Sequence, residues 1–219
     1  MKKILLIAVM AAIACGTYAQ KVTWGVRGGL NLPKVAFDTE GEAPDYKAKT
    51  GFHLGVVADL EITGSFYLQP GLYLTTKGAQ LEESEGQASY EQKVNLSYLQ
   101  VPVLASYRFD LGDDLKLHLN AGPYLAYGVG GKIKEETKWQ GGSEENKYDA
   151  FGTSGEDTEK GGLKRFDAGL SLGAGVSIGK IYAGLNYDLG LSNLAEEKEW
   201  GNETKIKNRS FNISVGYNF

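Results

Sequence analysis

Two histidines, two methionines and a single cysteine in 219 residues leave little material for thiol, imidazole or thioether chemistry. The cysteine, Cys15, sits in an N-terminal segment with its own logic. Lys2 and Lys3 precede an apolar stretch, residues 4–14, and Thr17-Tyr18-Ala19 offers a small-x-small cleavage site before Gln20. That order reads as a secretory signal peptide over residues 1–19, leaving a domain at 20–219. A chain cut there has no thiol, which excludes disulfides and cysteine-metal sites. The competing reading, lipidation at Cys15, lacks the usual Leu three positions upstream, where Ala12 stands. Cationic excess is missing too: removing Lys2 and Lys3 takes the formal charge from −4 to −6. No basic cluster offsets it, so nucleic-acid binding is excluded. Beyond the leader no apolar run reaches the length of a spanning helix.

What the chain has is glycine (30), tyrosine (13) and period-two alternation. The clearest case is the end of the chain, residues 210–219. Phe211, Ile213, Val215, Tyr217 and Phe219 take one parity; Asn212, Ser214, Gly216 and Asn218 take the other. A strand with one face in lipid and one in a polar lumen has this pattern. Seven more segments alternate: 22–31, 50–61, 66–77, 93–109, 115–127, 165–178 and 181–189. Pro70 in the third suggests a bulge or distortion. In the fourth, Val94, Leu96 and Tyr98 lie on the opposite parity to Leu99, Val101 and Val103, which predicts a face-swapping β-bulge near residues 98–102.

The connections alternate long and short. Residues 33–49, 78–92, 128–164 and 190–209 are long; 62–65, 110–114 and 179–180 are short. Long links on one rim and short turns on the other, with an even strand number, predict an all-β fold: an eight-stranded antiparallel up-and-down transmembrane β-barrel. Aromatic residues gather near both expected rims, Trp24, Phe66, Tyr107, Phe109 and Phe219 at the short turns and Tyr127, Phe166, Tyr187 and Phe211 at the long links. Both ends of the barrel domain fall on the short-turn side, expected to face the periplasm.

The inward parity carries Arg27, His53, Asp59, Lys77, Arg108, Lys116, His118, Arg165, Asp167 and Asp188. An eight-stranded bore is just wide enough for side chains. These charges are expected to pair and block it, with no wide diffusion channel. Ser106 and Ser171 have no spacing relation to either histidine, so no nucleophile–histidine–acid arrangement and no enzyme activity is expected. No cofactor is implied. Leaving out Lys164 at the edge of the third, the long links hold 20 acidic against 12 basic residues. Clusters such as Glu82-Glu83-Ser84-Glu85, Glu156-Asp157-Thr158-Glu159 and Glu196-Glu197-Lys198-Glu199 lack the spacing of a calcium loop and read as solvated faces. Trp139, Tyr148, Phe151 and Trp200 in these links are candidates for a recognition surface.

Three stretches carry a family resemblance. They are Trp24-Gly25-Val26-Arg27-Gly28-Gly29-Leu30-Asn31, residues 71–79, and residues 98–109. They resemble strands of the porin-like outer-membrane β-barrel proteins related to PorT, and the likeness extends over the barrel domain. Strand 210–219, ending in Phe219, is similar to the C-terminal signal read by barrel-assembly machinery. The resemblance implies an outer-membrane location and, more narrowly, an accessory role in a protein-secretion apparatus. The expectation is therefore an outer-membrane barrel with a structural or surface-interaction role. Its expected partners are outer-membrane lipid and lipopolysaccharide, the barrel-assembly machinery, and an extracellular partner met by the loops. The alternative is a soluble lipocalin-like barrel holding a small apolar ligand, with the two faces exchanged.

Overall fold

The computed structural model describes residues 21–38, 47–85, 88–154, 160–196, 199 and 204–219. The expected leader, Cys15 and the candidate Trp200 lie outside them. The strands are β1 (Val22–Asp38), β2 (Lys47–Ala48), β3 (Gly51–Thr63), β4 (Phe66–Glu85), β5 (Ala88–Gly112), β6 (Leu115–Trp139), β7 (Gly142–Phe151), β8 (Lys160–Leu163), β9 (Phe166–Ile178), β10 (Ile181–Gly190) and β11 (Lys205–Asn218). Eight of them close a ring in the order β1-β3-β4-β5-β6-β9-β10-β11, each antiparallel to the next. The seam joins β1 to β11 in one register, from Gly25 opposite Asn218 to Asp38 opposite Lys205. A closed ring leaves no unpaired edge, which is the condition for strands to stand in lipid.

Two-residue turns join the ring at one rim. At Asp113–Asp114 both residues adopt left-handed φ, 49° and 61°, the geometry that matches the twist of a tight hairpin and that Asp tolerates better than most residues. Lys21 and Phe219 lie at this same rim. The long-link rim is built differently from the expectation. Where described, segments 78–92 and 128–164 are largely strand: β4 and β5 stay paired as far as Glu85 and Ala88, and β6 turns back on β7 at Trp139 and Gly142. β8 runs parallel to β7, the one parallel pair among the described residues. Among the described residues no helix is long and apolar enough to cross a membrane; a barrel crosses with strands.

The outward face at mid-barrel is apolar and exposed, with Leu30, Leu54, Leu72, Leu172, Leu185 and Val215 among its residues. Across the rims the aromatics meet in cross-strand pairs. Phe66 is opposite Tyr107 at the short-turn side; Tyr187 is opposite Phe211, and Tyr127 opposite Phe166, at the other. From Phe211 to Phe219 a strand rises about 26 Å along its axis at ~3.3 Å per residue. Tilted by about 40°, that spans roughly 20 Å of apolar layer, near the height of an outer-membrane barrel's belt.

The expected bulge is corrected in its place. β5 keeps one phase from Val94 to Ser106, with Val94, Leu96, Tyr98, Gln100, Leu104 and Ser106 all buried on the inward side. The extra residue is Val129 on the partner strand: Ser97 faces Gly130 and Tyr98 faces Gly128. The apparent parity switch in β5 has another cause, namely that the interior itself changes from polar to apolar there. Pro70 inserts no residue either, because Pro70–Val103 and Tyr73–Gln100 share one register.

Candidate functional site

The bore is filled in three tiers, each set by inward positions on the ring strands. Nearest the short turns, Arg108 Nη2 lies 2.6 Å from Asp59 Oδ2. Gln69 Nε2 donates to Asp59 Oδ1 at 2.6 Å, and the Arg108 guanidinium stacks 3.8 Å from the Tyr67 ring centre. Arg27 stacks on Tyr182 at 4.1 Å. Glycine makes room for this pair in so narrow a bore. A Cβ on Gly175 would stand 2.5 Å from the Tyr182 hydroxyl, and one on Gly216 2.5 Å from Arg27 Cδ. His118 Nε2 lies 2.8 Å from Ser177 Oγ.

The middle tier is organised by Asn31. Its Nδ2 donates to Phe52 O, Thr75 Oγ1 and Thr76 O at 2.9–3.0 Å. This fixes Oδ1 toward His53 Nδ1 at 2.6 Å. The His53 proton therefore sits on Nδ1, and Nε2 accepts from Ser214 Oγ at 2.9 Å. Across the bore, Asp188 Oδ2 accepts from Gln100 Nε2 and Asn212 Nδ2, both at 3.1 Å. Between these groups lies a polar cavity of about 60 Å³, room for a few waters and no more.

The third tier closes the bore toward the long links. Lys77 Nζ is 3.0 Å from Asp167 Oδ2, with both side chains shielded from solvent, and faces the Tyr124 ring at 4.5 Å. Asp167 also accepts from Asn208 Nδ2 at 3.0 Å and Ser192 Oγ at 2.9 Å. Arg27, His53, Asp59, Lys77, His118, Asp167 and Asp188 are thus all buried, with Arg108 nearly so. Lys116 is half-buried near the short-turn rim. Arg165 departs from the expectation: it is exposed, precedes β9, donates Nη1 to Gly128 O at 2.9 Å and lies over the Phe151 ring. At the rim the inward parity no longer encloses a side chain. Sequence reading of charge alone missed Asn31, Gln69, Gln100, Asn208 and Asn212, which share the charged residues' parity and supply most of the hydrogen bonds.

The outer hairpin β6–β7 is held by surface charge. Lys134 meets Glu145 at 2.8 Å and Glu136 at 3.4 Å; Lys147 meets Glu145 at 2.5 Å, Lys138 meets Glu136 at 2.8 Å and Lys132 meets Asp149 at 2.8 Å. Hydrogen bonds from Lys134 and Lys147 hold the Glu145 carboxyl down to about 2. Trp139 is exposed at the hairpin's tip, beside Gly142. Tyr148 is half-buried and donates to Glu135 Oε1 at 2.5 Å. Phe151 is not a surface residue: it is buried, edge-on to Tyr98 with ring centres 5.8 Å apart. It lies over Gly128 and Gly131, whose missing side chains leave its place. Among the described residues no three His, Cys, Asp or Glu side chains converge as a metal site.

In β11, Phe211, Ile213, Val215 and Tyr217 point out of the barrel and are exposed, as is Phe219 just after it. Phe219 N donates to Trp24 O at 2.8 Å, the last bond of the seam. Residues 18–196 match the family model of the outer membrane protein beta-barrel domain. The chain belongs to that family. It is an integral outer-membrane β-barrel protein, and the soluble lipocalin-like alternative is set aside, since its polar face is inside and its apolar face outside. No curated protein matches it in sequence. Among solved structures it is similar to Ail, the attachment invasion locus protein of Yersinia pestis, at 15% identity and TM-score 0.41, covering 91% of this chain and 100% of that one. It is also similar to Neisserial surface protein A, at 12% identity and TM-score 0.46, covering 91% and 100%. A third, OprG of Pseudomonas aeruginosa, has 9% identity and TM-score 0.39, covering 90% and 95%.

Proposed function

We propose that this outer-membrane barrel is a closed stalk that presents a stiff, β-structured head outside the cell as an interaction surface. The observation that carries this reading is the contrast between its two halves. Within the lipid belt the bore is filled by the Arg108–Asp59 and Lys77–Asp167 pairs and leaves about 60 Å³. Beyond the belt, the β4–β5 and β6–β7 hairpins continue as paired strands. Strands cost the chain conformational entropy that slack loops do not, so a shaped head favours recognition over mere connection. Trp139 at the hairpin tip is the exposed aromatic such a surface would use. The partners in this reading are neighbouring lipopolysaccharide around the head and an extracellular ligand at its tip, with the barrel-assembly machinery acting on β11 during insertion. A narrower form, resting on the PorT-like stretches, makes the head an accessory of a protein-secretion apparatus.

The reading includes no catalysis. Ser106 and Ser171 form no hydrogen bond with the histidines; Ser214 and Ser177 do, deep in the bore. Membranes carrying His53→Ala should hydrolyse phospholipid no more slowly than those carrying the parent chain; a loss of hydrolysis overturns that part. The test of the stalk is conductance. Purified protein in planar bilayers should show no large, stable open level, and a steady nanosiemens-scale pore would refute a closed bore.

A further inference from the structure

The inward columns of four ring strands change chemistry at one height. On β1 the sequence of inward residues runs Arg27, Asn31, then Val35; on β4 it runs Thr75, Lys77, then Ala79. On β5 it runs Ser106, Gln100, then Leu96 and Val94, and on β11 Asn212, Ser210, Asn208, then Ile206. None of the four slips its phase across these inward residues, so the switch is written in residue type alone. Above the Lys77–Asp167 pair the interior becomes apolar. Leu163 of β8 and Leu194 of the 191–196 connection join the cluster from the side. Their backbones are tied by Lys164 N to Leu194 O at 2.7 Å and by the Leu163–Ala195 bridge.

This apolar interior is not fully packed. It surrounds a cavity of about 220 Å³, walled by Val35, Ala79, Leu96, Ile133, Leu194 and Ile206, with Asn208 also contributing. Protein interiors seldom hold voids larger than a water, and apolar voids of about 150 Å³ stay dry and accept benzene. Scaled by volume, this one takes roughly nine non-hydrogen atoms. Polar groups also line it: Gln92, Tyr148, one cation, Lys160, and one carboxylate, Glu199. Glu199 Oε1 accepts from Ser154 N at 2.7 Å, and Ser154 Oγ bonds both the N and the O of Lys160. Among the described residues one positive and one negative group balance, so the lining favours an uncharged head that can both donate and accept a hydrogen bond. The whole chamber lies beyond Tyr127 and Phe211, above the lipid belt.

We propose that the head holds a binding site for a small neutral amphiphile, an alkyl or aryl body of about nine non-hydrogen atoms with one hydroxyl or amide head. The site goes beyond the role of the head as an interaction surface and stands whether or not that role holds. The bore below is closed, so the molecule enters and leaves at the outer side, and the chamber retains it without passing it inward.

The test is fluorine NMR of 8-fluorooctan-1-ol added to the full barrel in nanodiscs, where a protein-bound resonance separates from the lipid-partitioned one. The expected result is a bound signal that saturates near one equivalent. It should weaken at least tenfold in Ala79→Phe, which fills the chamber, with 8-fluorooctanoate at pH 8 binding at least fivefold more weakly than the alcohol. Heat-modified gel mobility reports whether Ala79→Phe is folded. If it is not, Leu96→Ala keeps the test open, because enlarging the chamber should shift the preferred chain length from eight carbons towards ten. A lipid-partitioned resonance alone in the parent protein, an equal bound signal in folded Ala79→Phe, or unchanged chain-length preference in Leu96→Ala would overturn the site. Tighter binding of the carboxylate would overturn the neutral-head assignment. Planar-bilayer conductance is independent of all these readouts, so failure of the closed stalk and failure of the chamber are told apart.

Discussion

Lys77 and Asp167, from strands on different parts of the ring, meet at 3.0 Å with neither side chain reaching solvent. Their contact marks the height at which the interior of the barrel changes from polar to apolar. A buried pair of this kind is costly to break because one charge is left behind, whereas replacing both partners with apolar groups is often close to neutral. Asp167→Leu should therefore destabilise the barrel by about 3–5 kcal/mol. The Lys77→Met/Asp167→Leu double variant should recover most of that. Urea unfolding in lipid vesicles, followed by tryptophan fluorescence, measures both. A single variant costing under about 1 kcal/mol would mean that water reaches the pair and screens it.

The seam gives the second prediction. Phe219 N bonds Trp24 O, and the Phe219 ring lies 5.6 Å from that of Tyr217. Deleting Phe219 removes the last ladder bond and the exposed terminal aromatic together. Outer-membrane levels of the folded, heat-modifiable form should fall severalfold, with Phe219→Tyr retaining most of them. Equal levels for the deletion and the parent chain would remove β11's end as an assembly signal.

The outer hairpin should respond to acid in a defined window. Hydrogen bonds from Lys134 and Lys147 depress Glu145 to about 2, while Lys138 lowers Glu136 and Lys132 lowers Asp149. A carboxyl whose folded value lies below its unfolded one stabilises fully above the unfolded value, about 4.3 for Glu. That contribution is lost as pH falls through the folded value. Lys134 and Lys138 are raised, so their share is present at neutral pH and lost only above the ordinary lysine range. Amide-exchange protection of β7, corrected for the intrinsic pH effect, should be flat from pH 6 to 9 and fall between about pH 4 and 2. Added salt should weaken it at neutral pH, since the pairs are exposed. Protection unchanged down to pH 2 would show that these pairs do not hold the hairpin.

Much of this architecture is legible in the sequence because lipid imposes one rule on every strand. Phe211 to Phe219, or Leu115, Leu117 and Leu119, alternate against polar partners with no tertiary knowledge required. The same rule fails where lipid ends. Val94, Leu96 and Tyr98 look like a slipped face, yet they hold their phase and fill an apolar interior. The real extra residue, Val129, sits among glycines in Gly128–Gly131 that carry no parity signal. Phe151 reads as a loop aromatic because its pocket is made by Gly128 and Gly131, distant in sequence and visible only once β6 and β7 pair. Arg165 has the inward parity but stands one residue before its strand. The neutral amides that complete the plug, Asn31 above all, look unremarkable beside the charges they orient.

In the proposed orientation the outer-membrane barrel holds its hairpin head outside the cell and its short turns in the periplasm. The direct measurement is labelling with a membrane-impermeant maleimide on intact cells. Ser143→Cys places a thiol in the β6–β7 hairpin and Lys180→Cys one in the β9–β10 turn, both exposed; the native chain's single cysteine, Cys15, lies in the expected leader. Ser143→Cys should label on intact cells, and Lys180→Cys only after the outer membrane is permeabilised. Labelling of Lys180→Cys on intact cells, with Ser143→Cys protected, would contradict the account.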